Sequence, residues 1–117
     1  VNRTEFLPAL RAARNKVNTV DGSWAFSPDA RCADHAARLT FDAPPGTRLL
    51  LVSDGFFALT SDYRRYSAGD FVDAAGSKGL RALYKELREV ENADPEGLRF
   101  PRFKKSDDAT ALLLRVT

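Results

Sequence analysis

The stretch "LLLVSDGFF", residues 49–57, drives an apolar run into Ser53, Asp54 and Gly55 and follows them with two phenylalanines. A carboxylate at the end of such a run either starts a turn or is held at the mouth of a sheet for chemistry. The segment "TRLLLVS" lacks the polar alternation of a strand with one wet face, so it reads as a strand covered on both faces. A second run, "ATALLLRVT" near the end of the chain, has the same character and follows Asp107 and Asp108. If these strands are antiparallel neighbours, the end of one and the beginning of the other share a sheet edge, and Asp54 and Asp107 converge there. Converging carboxylates need a cation or a shared proton. Hard oxygen ligands without His or Cys nearby select Mg²⁺ or Mn²⁺ rather than zinc. The bland alternative, that each Asp serves only its own turn, stays open on the residues alone.

Around these strands the pattern is helical. "TEFLPALRAARNK", residues 4–16, offers Thr4 as a cap, Pro8 in an early turn, and Phe6, Leu7, Leu10 and Ala13 along one side. "SAGDFVDAAG" predicts a short helix capped by Ser67, with Asp70 three residues on in a capping-box-like start and Gly76 as its stop. "SKGLRALYKELREVENADP" predicts a longer helix capped by Ser77, with Leu80, Leu83, Tyr84, Leu87 and Val90 on the apolar side and Glu86, Arg88 and Glu89 on the wet side. Two further strand-like stretches are expected. One follows the Asp21-Gly22 turn in "NTVDGSWAF"; the other runs through Leu39 and Phe41 and ends at Pro44-Pro45-Gly46. "ADPEGLRFPRFKKSDD" reads as a long loop, of the kind that is often functional or disordered.

Composition bounds the function. A chain of 117 residues, 44% hydrophobic, can bury one real core, so a single domain or fragment over residues 1–117 is expected. With 18 basic against 16 acidic residues the net charge is +2, too small to imply a nucleic-acid partner. Cys32, the single cysteine, excludes an internal disulfide and fits a reducing, cytoplasmic setting. No apolar run approaches the roughly 18 residues of a membrane span, so no membrane partner is expected. The chain contains no Met. It therefore reads either as the interior of a longer protein or as a chain that has lost its initiator.

The pair "LLLVSDGFFALTS" and "KKSDDATALLLRVT", with two helices and a long loop between them, resembles the C-terminal half of the metal-dependent type 2C protein phosphatases. That family's late motifs are an apolar strand into Ser-Asp-Gly and a closing Asp-Asn-x-Thr before a final strand. The resemblance covers residues 20–117. It implies metal-binding roles for Asp54 and Asp107, a two-ion Mg²⁺ or Mn²⁺ site in the complete domain, and a phosphorylated protein as substrate. Asp108 stands where the family has Asn. The family's early Asp-Gly-His-Gly and its phosphate-receiving Arg have no counterpart here; Asp21-Gly22 is followed by Ser23-Trp24 and reads as a hairpin turn.

The expected fold class is α+β: an antiparallel sheet with helices on one face, resembling part of the family's α-β-β-α sandwich. Its core should contain Leu49, Leu51, Val52, Leu112, Leu114 and the Leu83, Tyr84, Leu87 face. The expected function is a serine/threonine protein phosphatase represented by its C-terminal half and inactive in isolation, with a non-catalytic phosphatase-like binding module as the alternative. Exposed strand edges would favour a homodimer. His35 and Cys32 have no partners for a zinc or nucleophile site and read as ordinary side chains. The cations and aromatics of "RFPRFKK", residues 99–105, read as a solvated loop with anchoring rings, able within the phosphatase reading to attract a phosphorylated substrate.

Overall fold

The computed structural model describes residues 3–117, which divide into two compact units, one spanning Ala43–Thr117 and the other ending at Asp42. In the larger unit the two apolar runs form strands β1 (Arg48–Val52) and β2 (Ala111–Arg115). They pair antiparallel, Leu49 opposite Leu114 and Leu51 opposite Leu112. Three helices complete the unit: α2 (Asp54–Ser61), α3 (Ala68–Lys78) and α4 (Leu80–Ala93). This is an α+β arrangement. A two-stranded sheet is marginal by itself and needs such helices against one face. Leu50, Val52, Ala111 and Leu113 pack on a core of Phe56, Leu59, Tyr63, Phe71, Leu83 and Leu87. Full burial of each leucine there is worth about 2 kcal/mol.

The expected core is half right. Leu83 and Leu87 are fully buried, but Leu51, Leu112 and Leu114 are 53%, 52% and 42% exposed, Tyr84 is exposed, and Leu49 and Val52 are half-buried. Strand side chains alternate between faces, and only the Leu50–Leu113 face meets the helices. The strands are therefore not covered on both faces among the described residues.

Ser67 caps α3 as its sequence promises: its hydroxyl accepts the Asp70 N–H at 3.2 Å and donates to the Asp70 carboxylate at 2.6 Å. Gly76, however, does not stop the helix, which runs on to Lys78. A Cβ there would lie 2.0 Å from Arg48 Nη1, and Arg48 crosses this point to donate to Asp73 at 2.7 Å. The real stop is Gly79, at φ 86° and ψ 155°, which also precedes α4. Ser77, the expected cap of the long helix, lies inside α3 and donates to the Asp73 carbonyl. Residues 54–61, where the sequence predicts nothing beyond a turn at Asp54-Gly55, form helix α2.

The smaller unit carries α1 (Arg3–Asn15), with Thr4 inside the helix rather than capping it and Pro8 at its sixth residue. After the turn, residues 23–27 and 36–42 form no strand, against expectation. Asn18, at φ 61°, organises the loop instead, accepting the Ala25 N–H at 2.7 Å and donating to the Ser27 hydroxyl at 2.9 Å. A 3₁₀ helix, Ala30–His35, is capped by Asp29. His35 stacks on Trp24 at 3.8 Å between ring centroids. The Cys32 thiol donates to the Ser27 carbonyl at 3.6 Å. No helix among the described residues is long and apolar enough to cross a membrane.

Candidate functional site

The strand ladder continues past Val52 and Ala111. Ser53 donates its N–H to the Thr110 carbonyl at 2.9 Å, while its hydroxyl accepts the Thr110 N–H at 3.0 Å and donates to the Asp108 carbonyl at 3.4 Å. The Ser-Asp-Gly and Asp-Asp-Ala-Thr segments are thus stitched face to face. Asp54 is the first residue of α2, and its carboxylate accepts the Gly55 N–H at 2.8 Å. A Cβ on Gly55 would lie 2.2 Å from the Asp108 carbonyl oxygen and 3.0 Å from the Asp107 Cβ. Glycine is required here for close approach between the two segments, which turn chemistry alone did not reveal.

Asp54 and Asp107 line the same cavity, of about 210 Å³, together with Asp62, Arg102, Lys104 and Lys105. Asp54 is exposed to solvent; Asp107 is half-buried. The Lys104 ammonium donates to the Asp107 carboxylate at 2.5 Å, and the Asp108 N–H donates to the same oxygen at 2.8 Å. Lys104 first, and the Asp108 N–H second, hold the Asp107 carboxyl below its usual range. Asp108 itself is exposed, and only its main chain takes part in this network.

Carboxylate oxygens such as those of Asp54 and Asp107 suit Mg²⁺ or Mn²⁺ chemically. The two residues are too few for a closed octahedral site, and no group of three or more His, Cys, Asp or Glu side chains among the described residues could hold a metal ion.

The long loop leading to Asp107 is ordered by side chains that its composition did not single out. Asp94 accepts N–H groups from Leu98 at 2.9 Å, Arg99 at 3.2 Å and Phe100 at 2.9 Å. Arg102 donates to the Asp94 carboxylate at 3.0 Å and to the Glu91, Asp94 and Phe100 carbonyls. Its remaining N–H reaches the Lys105 carbonyl at 3.0 Å. Phe100 anchors against Tyr63, ring centroids 5.1 Å apart. Arg88, expected on the wet side of its helix, turns inward toward Glu91. Glu86 is half-buried and accepts the Tyr66 hydroxyl at 2.5 Å.

Comparison with protein-family models, curated proteins and solved structures finds no match.

Proposed function

We propose that this chain supplies the Asp54 and Asp107 ligands of a metal-dependent serine/threonine protein phosphatase of the type 2C kind, its β1–β2 sheet and helices forming half of that family's α-β-β-α sandwich. The observation that carries the reading is the pairing of the two motif segments across Ser53 and Thr110, with both aspartates among the residues that line one cavity. In that role Asp54 and Asp107 would hold Mg²⁺ or Mn²⁺, which supplies positive charge to a phosphoryl group and acidifies attacking water. The chain's own contribution is to present two carboxylates to one cavity. Gly55 permits the approach, and Lys104 favours the ionised form of Asp107, the form that would hold a cation. Lys105 lines the same cavity and adds positive charge for a phosphorylated protein substrate.

The ligand count limits what the isolated chain does. Without a bridging carboxylate and a phosphate-receiving Arg, ion affinity falls to about millimolar or weaker, the range of calcium sites with few charged ligands. The isolated chain should therefore not turn over p-nitrophenyl phosphate with millimolar Mn²⁺. Turnover that Asp54→Ala or Asp107→Ala abolishes would show that the chain is a complete enzyme. Failure to bind Mn²⁺ at all, by electron paramagnetic resonance of free Mn²⁺, would leave the non-catalytic binding module as the reading. The Lys104–Asp107 pair already favours that alternative in one respect, since it neutralises one of the two ligands.

A further inference from the structure

Arg88 sits on α4 between the helix and the segment that enters β2. Its Nη1 donates to the Glu91 carboxylate at 2.6 Å and its Nη2 to the main-chain carbonyl of Asp107 at 2.9 Å. The guanidinium also lies 4.9 Å from the centre of the Tyr84 ring. Glu91 is 3% exposed, so its charge depends on this partner. Burial tends to lower the pKa of Arg88, but the bonds to Glu91 and Tyr84 outweigh it and leave the pKa raised.

We propose that Arg88 is a positioning residue for the metal-ligand site: through the Asp107 carbonyl it fixes where the Asp107 carboxylate stands relative to Asp54. This rests on the phosphatase reading for its purpose, though not for its geometry. The loop before Asp107 is clasped by Asp94 and Arg102, but that clasp reaches no further along the chain than the Lys105 carbonyl. From there to the Ser53–Thr110 stitch, Arg88 is the helix side chain that holds the main chain at Asp107. A guanidinium holds the Glu91 carboxylate and the Asp107 carbonyl from two nitrogens of one rigid planar fork, whereas an ammonium on the shorter lysine stem is a single rotating point charge without that fixed geometry. Groups that orient ligands in this way typically alter metal affinity tenfold or more when removed.

Arg88→Lys separates positioning from mere stability. The lysine retains a cation for Glu91, so the melting temperature should stay near that of the unaltered chain. Amide exchange at Asp108, whose N–H bonds the Asp107 carboxylate, should accelerate, and Mn²⁺ affinity should fall on the order of tenfold. If Arg88→Lys folds poorly, Arg88→Met with Glu91→Gln removes cation and buried anion together and serves the same purpose. Asp54→Asn is the control, losing Mn²⁺ affinity without altering Asp108 exchange. Unchanged Asp108 exchange in both Arg88 variants overturns the assignment, whatever the metal does. If the unaltered chain and Asp54→Asn bind Mn²⁺ equally, the metal-site reading fails instead, and Asp108 exchange alone decides the role of Arg88.

Discussion

Asp94 shows how a single carboxylate can order a loop that composition marks as irregular. Burial opposes its charge, but the N–H groups of Phe100, Arg99 and Leu98 and the guanidinium of Arg102 outweigh that cost and hold its pKa at about 2, down from 3.8. The unfolded chain takes up the proton near 3.8 and the folded chain near 2, so the stability from this group is complete above the first value and lost as the pH falls through the second. Asp94→Asn should lower the urea midpoint at neutral pH and make it depend less steeply on pH across that acidic window. Parallel slopes for the two proteins would refute the assignment. The candidate ligands Asp54 and Asp107 were legible because each ends or begins an apolar run. Asp94, Arg88 and Arg102 were not, since nothing in local sequence distinguishes a charge that caps a distant main chain from one that faces water.

At the scale of elements, the helices follow their patterns and the strands do not disclose their phase. Leu83 and Leu87 recur at helical spacing and are buried, whereas "LLLV" and "ALLL" are apolar at every position and carry no information about which side meets the core. The boundary between α3 and α4 depends on backbone conformation. Gly79 occupies φ 86° and ψ 155°, a region almost confined to glycine. Gly79→Ala should cost about 1–3 kcal/mol in urea unfolding. Gly69→Ala, inside α3 with nothing within 4 Å of the new Cβ, should be neutral or stabilising by up to about 1 kcal/mol. Equal effects at the two sites would remove the backbone explanation.

For the whole molecule, the face carrying Leu49, Leu51, Leu112 and Leu114 makes self-association the expected behaviour. Sedimentation velocity at rising concentration should show a dimer, and Leu51→Lys with Leu112→Lys should return it to monomer; a strictly monomeric unaltered chain at high concentration would contradict this. The sequence by itself determined the helical segments α1, α3 and α4, the two apolar strands and the two carboxylates at their ends. Each of these rests on local chemistry: capping hydroxyls, apolar periodicity, and a charge that cannot continue a buried run. Tertiary structure alone decided which strand face is buried, that residues 54–61 form a helix, and that residues 23–27 and 36–42 form no strand. It also brought Gly55 against Asp108 and Arg88 against the Asp107 carbonyl. Those outcomes depend on contacts between residues distant along the chain, and a strand phase or a main-chain partner acquires its energy only when the opposing surface arrives.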